Sequence, residues 1–540
     1  MKSRSRSRSR LFKAFVWSIL FSLLGACSDG DNGAQTPPEP MTAVDAASML
    51  QQYITPNVTQ VRVVASDASG SITSTDLFTR EEAANFRVPT AAEKVEMGLL
   101  TVSDQQIGVI IFQPNGDKMT LILPGDGLAP PDVLDLDIVI NADLWDREAK
   151  MLAGGLGFSN IIGVPGFTGT DSYSEQLVKE AGGNWNTLTG CGEIAPTSSD
   201  YTSAQSTSKM LLINGFPEIF YGGGMPIEFS WPILFSTAEG SDFLVTLNDY
   251  SQVYPDHATM TLNFDYNERA VVVLFGQLGN RLVLDDPTVL YSVRIEVVDD
   301  GTPLMMVGPD GFLQSAVGLF ANAPGSPYHT PGNGPRLTGA KLNITSAIGD
   351  EGPPGFTANT PNDGISLYGD DAQYRLRVYT TGGYTPDVIT GLKTNQYNKF
   401  FQVQVKNDAG ELIPLLQAGT EYLLDDQKIE VVGLAELGVP GQVVDGNDCY
   451  LEDRDNQIDI ILKGDLPAIS KVVGVRVPSE QPAGQHTPDG YWQFYNPGGP
   501  GNTPVAGTTY TQGSPDHIVP VIIAIDDPMM VTYIDLRTSN

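Results

Sequence analysis

The chain has 540 residues, and its 31 Lys+Arg against 64 Asp+Glu give a formal charge of −33 at neutral pH. So acidic a surface repels polyanions, which argues against a nucleic-acid partner. Three cysteines and four histidines offer no zinc-finger spacing, and a chain this long exceeds what a single core organises, so several domains are expected.

The N-terminus reads MKSRSRSRSRLFKAFVWSILFSLLGACSDGDNG. Basic residues Lys2, Arg4, Arg6, Arg8, Arg10 and Lys13 precede an apolar run from Ala14 to Leu24. That is the layout of a secretory signal, with an apolar core too short to span a bilayer comfortably. The run ends in Leu24-Gly25-Ala26-Cys27, which resembles the lipobox of bacterial lipoproteins. The resemblance implies cleavage before Cys27 and a lipid on its thiol, so the membrane becomes a partner through that lipid. Ser28, where Asp would retain the protein at the inner membrane, implies sorting to the outer membrane, on its periplasmic or surface face. Without the six basic residues of 1–26, the remainder carries 25 Lys+Arg against all 64 acids. Residues 28–41 are small, polar and proline-bearing, and read as a flexible tether.

Two further cysteines remain, Cys191 and Cys449. In an oxidising envelope they are candidates for a disulfide closing a loop of roughly 260 residues, for which chain entropy gives about 5 kcal/mol at most. Two separate buried thiols are the alternative.

Residues 42–128 read as a small α+β or β domain. TAVDAASMLQQYI carries a helical pattern, and VTQVRVVAS, QIGVIIFQP and KMTLILPG alternate like strands. Residues 129–221 are glycine-rich and irregular, with a strand in DVLDLDIVINADLW and a short helix in SYSEQLVKEAG. GGLGFSNIIGVPGFTG lacks phosphate-loop spacing and reads as a turn-rich connection. From Gly222 the text changes: MPIEFSW, SDFLVTLND and TMTLNFD alternate, RAVVVLFG is continuously apolar, and LYSVRIEVVDD closes the series.

Over 222–300 this pattern resembles bacterial Ig-like domains. The likeness rests on Phe229-Ser230, Pro232, Ser236-Thr237 and the strand Asp242 to Thr246, with Trp231 standing where an acidic residue is usual. It implies a β-sandwich rather than an activity. Residues 301–370 read as Gly/Pro-rich loops. AQYRLRVYTT, KFFQVQVKND, QKIEVVGLA, QIDIILKG and SKVVGVRVP form a second β-sandwich over 371–478, and 479–540 adds C-terminal strands. The expected fold class is mainly β and multidomain.

Motifs for catalysis are sparse. There is no GxSxG; Gly364 to Gly369 has the wrong spacing. Asp256-His257 and Asp516-His517 lie in turn-like YPDH and SPDH contexts, and adjacency makes no triad. No catalytic residue is assigned. Tyr491, Trp492 and Tyr495, in YWQFY, are candidates for stacking on sugar rings, with strand-core packing the alternative.

The most chemical stretch is DGNDCYLEDRDNQIDIIL, residues 445–462. Asp445, Asp448, Glu452, Asp453 and Asp455 supply hard oxygens suited to calcium, without EF-hand spacing. Ile458, Ile460 and Leu462 fall on one strand face with Asp459 opposite, so the acidic part reads as a loop that Cys449 tethers to Cys191. The expected role is non-catalytic: binding, adhesion or structure at the bacterial surface, with an envelope protein or glycan as partner. A polysaccharide hydrolase with β-sandwich accessory domains and a calcium-stabilised stalk are the rival readings.

Overall fold

The computed structural model describes residues 60–66, 72–79, 106–112, 118–123, 137–154, 176–177, 180, 224–260, 266–280, 282, 284–323, 325–326, 330, 336–345, 363–381, 394–436, 456–477 and 517–535. Runs of β-branched and aromatic residues between Gly, Pro, Asn and Asp become strands, and the protein is mainly β.

The first strands are β1 (Gln60–Ser66), β2 (Ile72–Thr79), β3 (Gln106–Phe112), β4 (Lys118–Leu123), β5 (Asp137–Asp143) and β6 (Met151–Ala153). Next come β7 (Gly224–Phe229), β8 (Phe243–Leu247), β9 (Gln252–Val253), β10 (His257–Thr259), β11 (Val271–Phe275) and β12 (Ser292–Val297). Then follow β13 (Met305–Val307), β14 (Leu313–Ser315), β15 (Phe320–Asn322), β16 (Leu337–Ile344), helix α1 (Asp363–Tyr368) and β17 (Tyr374–Thr380). Helix α2 (Tyr397–Phe400) leads to β18 (Gln402–Lys406), β19 (Leu412–Leu415), β20 (Glu421–Leu424), β21 (Gln427–Ala435) and β22 (Gln457–Gly464). Helix α3 (Leu466–Ile469), β23 (Val472–Val477), β24 (His517–Pro520), β25 (Ile522–Ile523) and β26 (Met530–Asp535) complete the order.

Sheets β10-β11-β7-β6 and β15-β12-β8-β9 face each other across one core. Ile227, Phe229 and Val272 meet Phe243, Val245 and Ile295 there. Sheets β20-β21-β22-β17-β16-β25 and β19-β18-β23-β24 enclose a second core, where Leu342, Leu376, Val431 and Ile460 meet Val403 and Val475. A further sheet, β2-β1-β3-β4-β26-β5, takes in the late strand β26, parallel to β4 and antiparallel to β5. Among the described residues no helix is long and apolar enough to cross a membrane.

Residues 301–370, expected as loops, hold β13 to β16 and α1. Three of these strands are only three residues long, too short for alternation to register. In the fourth, LTGAKLNI, the apolar face is Leu337, Ala340 and Leu342, and Gly339, Lys341 and Asn343 between them make the text read polar. The tail is divided: β24 and β25 join the second pair of sheets, and β26 joins the N-terminal sheet.

Candidate functional site

Alternation in β17, YRLRVYT, turns Leu376 and Val378 into the second core and leaves Arg375, Arg377 and Tyr379 on the other face. In β16 the same split leaves Gly339, Lys341 and Asn343 outside that core, and in β22 it leaves Gln457 and Asp459. Register then aligns rows across the sheet: Lys341, Arg377 and Asp459 in one, Gly339, Tyr379 and Gln457 in the next. The outer face of an antiparallel sheet commonly meets water. Here Lys341 and Arg377 are 0% exposed and Asp459 is 1% exposed.

What covers this face is the outside of the neighbouring sheet. Trp145, Ala270, Val271, Val273 and Phe275 cluster with Tyr379. β11 sends Val272 and Leu274 into the first core and Val271, Val273 and Phe275 toward Tyr379, so it is buried on both faces. Its unbroken VVVLF text is the sequence form of that burial. The Trp145 and Tyr379 rings stack with centroids 4.7 Å apart and planes 20° apart. Gly339 makes room for them, since a Cβ there would lie 2.9 Å from Trp145 Cε3.

The polar row is closed by Asp143 at the end of β5. Lys341 Nζ contacts Asp143 Oδ1 and donates to the carbonyls of Pro528, at 2.9 Å, and Met529, at 2.6 Å. Arg375 Nη2 donates to both Asp143 oxygens, at 2.8 and 3.0 Å. Arg377 Nη1 lies 3.5 Å from Asp143 Oδ2 and 4.0 Å from Glu268 Oε1. Its Nε and Nη2 bond Asp459 at 2.7 and 3.0 Å, and Nη2 reaches Glu436 Oε2 at 3.0 Å. Asn343 Nδ2 donates to Pro528 O at 2.7 Å, tying the 526–530 turn to the same face.

Burial pushes the Asp143 carboxyl up, but Arg375, Lys341 and Arg377 outweigh it and hold the group at about 2. Burial lowers the Lys341 ammonium to about 8, against the pull of Asp143. Both groups are therefore charged at neutral pH. Charges this deeply buried are tolerable only when paired and hydrogen-bonded, as these are. Chemically the layer fixes charge in place. The carboxylates of Asp143, Asp459 and Glu436 are occupied by guanidinium and ammonium donors rather than open to a substrate.

Some expected features can be placed. Asp459 does lie opposite Ile458, Ile460 and Leu462, but it is sealed under Arg377 rather than solvated. His257 starts β10, opposite Phe275, and burial lowers its imidazole to about 4. His517 starts β24, opposite Val477, so the two histidines belong to different sheets; Asp516 lies outside the described residues. Trp231 is buried, and its Nε1 donates to Asp146 O at 2.9 Å.

The other candidates, Cys27, Cys191, Cys449, Asp445, Asp448, Glu452, Asp453, Asp455, Tyr491, Trp492 and Tyr495, lie outside the described residues. Among the described residues no group of three or more His, Cys, Asp or Glu side chains is placed to hold a metal. The ionic layer had no signature in the text, because its partners are far apart: Asp143 and Arg375 are separated by 232 positions. Compared with protein-family models and with curated proteins, the chain matches none.

Proposed function

We propose that this is a lipid-anchored cell-envelope protein whose body serves a non-catalytic binding, adhesion or structural role at the bacterial surface. The observation that carries the reading is the commitment of the buried charges. Asp143, Asp459 and Glu436 are held by Lys341, Arg375 and Arg377 between packed sheets, where they serve architecture. The basic, apolar and small-residue order ending at Cys27 supplies the anchor. Facing antiparallel sheets over 224–323 support an Ig-like sandwich there, and the second pair of sheets supports another.

Two measurements test this reading. Labelled palmitate incorporates into the wild-type protein and not into Cys27→Ala, which leaves the membrane fraction; unchanged attachment of Cys27→Ala refutes the anchor. The soluble body, screened against surface glycans and envelope extracts, retains a ligand without altering it. Turnover of a polysaccharide would instead favour a hydrolase.

A further inference from the structure

Glu228 sits on β7 between Ile227 and Phe229, both turned into the first core. Its carboxylate therefore leaves by the opposite face, toward β17. It is 0% exposed, and neither oxygen has a hydrogen-bond partner. The charge that acts on it is that of Arg336, yet among the described residues no ion pair joins the two. Burial holds its carboxyl well above the usual carboxylate range. A carboxylate in that state must be neutralised by a proton or a cation.

A second buried group points to the same spot. Gln457 is 1% exposed, and neither its amide oxygen nor its amide nitrogen has a partner. It is directly opposite Tyr379 in register, so the two side chains share a face. The Tyr379 hydroxyl donates to Ala270 O at 3.0 Å, feels the charges of both Glu228 and Glu268, and is hydrogen-bonded to Asn456. Asn456 Nδ2 donates to Thr380 O at 2.8 Å, which leaves its Oδ1 without a partner.

Two carboxylates and two amide groups thus bear on the Tyr379 side chain in a buried layer, with Glu268 also 4.0 Å from Arg377 Nη1. The set offers oxygen without thiol or imidazole, and mixes charged with neutral ligands. Calcium accepts six to eight such oxygens in irregular geometry, whereas magnesium demands a tight octahedron and keeps its waters. We propose that Glu228, Glu268, Asn456 and Gln457 bind a calcium ion between the two pairs of sheets. This site does not depend on the lipid anchor. It differs from the acidic run 445–455, which ends immediately before Asn456 in sequence.

The test uses the full chain stripped with chelator and heated with chelator, calcium or magnesium. Calcium raises the melting midpoint of the wild type, magnesium does so less, and Glu228→Gln abolishes the calcium shift. An unchanged wild-type midpoint overturns the proposal, leaving a proton or water at Glu228. An equal shift in Glu228→Gln also overturns it, because calcium then binds elsewhere on the acidic surface. A magnesium shift equal to that of calcium overturns the assignment of the ion. Should Glu228→Gln fail to fold, terbium on the wild type serves instead. Trp145, stacked on Tyr379, sensitises its emission and calcium quenches it by competition; absence of calcium-competed emission overturns the site.

Discussion

Arg377 and Asp459 face each other across β17 and β22, and the guanidinium bonds both oxygens of the carboxylate, at 2.7 and 3.0 Å. Both side chains are sealed from solvent. This fork is the centre of a layer in which one sheet has an apolar face and an ionic face, and both are buried. A buried pair of this kind is weak evidence for net stability, since desolvation offsets much of the attraction. Breaking it is another matter.

Replacing Arg377 with Met leaves Asp459 buried without the guanidinium that bonds both its oxygens, and removes the Nη2 bond to Glu436. We expect a loss of about 3–5 kcal/mol in urea unfolding. The double variant Arg377→Met/Asp459→Leu should lose less, because it also removes one stranded carboxylate. A double variant as unstable as the single one would contradict this account.

The acid limb of stability should carry Asp143. Its carboxyl lies at about 2 in the folded protein, against an ordinary value of 3.8 when unfolded. A lowered carboxyl contributes stability that is present above pH 3.8 and lost as pH falls toward 2, on the order of 2 kcal/mol. Asp143→Asn should be less stable at neutral pH, with Lys341 and Arg375 deprived of their acceptor, and should show a flatter profile below pH 4. Parallel acid limbs for the two proteins would count against the assignment.

Gly339→Ala should be costly although glycine is usually a poor strand residue. The added methyl meets Trp145 Cε3 at 2.9 Å and forces the Trp145–Tyr379 stack apart. About 1–3 kcal/mol should be lost, as in other overpacked cores. Near-ultraviolet circular dichroism reads the stack directly, and an unaltered aromatic spectrum would refute the prediction.

Deleting residues 525–540 removes β26 from between β4 and β5, together with the Pro528 and Met529 carbonyls that receive Lys341. Limited proteolysis should then cut within 60–143 under conditions where the whole chain resists. Equal resistance would show that β26 contributes little.

Strands were the legible part of the sequence. QIDIILKG, AQYRLRVYTT and QKIEVVGLA alternate, and each is a strand with its apolar residues in the second core. What alternation does not say is where the other face goes. Charge is normally wet, so nothing in the alternation marks Arg375, Arg377 and Asp459 as a buried side. Their burial depends on Asp143, Glu268 and Glu436, which no local pattern links to them. One clue was present: VVVLF in β11 has no polar side at all, so its sheet had to be covered on both faces. Glu228, the odd charge in GMPIEF, has no signature of its own, because one acid in an acidic chain carries no information.

The pairing of β26 with β4 and β5 has a kinetic side. Thr532 Oγ1 accepts from Asn141 N across 391 positions, and the register of β4 with β26 joins residues still farther apart. Loop-closure entropy makes such contacts slow to form, and folding rates fall as sequence separation between partners grows. Strands β1 to β4 can pair among themselves early, but their sheet keeps an open edge at β4 until β26 arrives. An unpaired edge is a template for other chains. The interval before β26 docks is therefore when this protein is most exposed to aggregation, and a chaperone acting on it should protect the edge of β4 first.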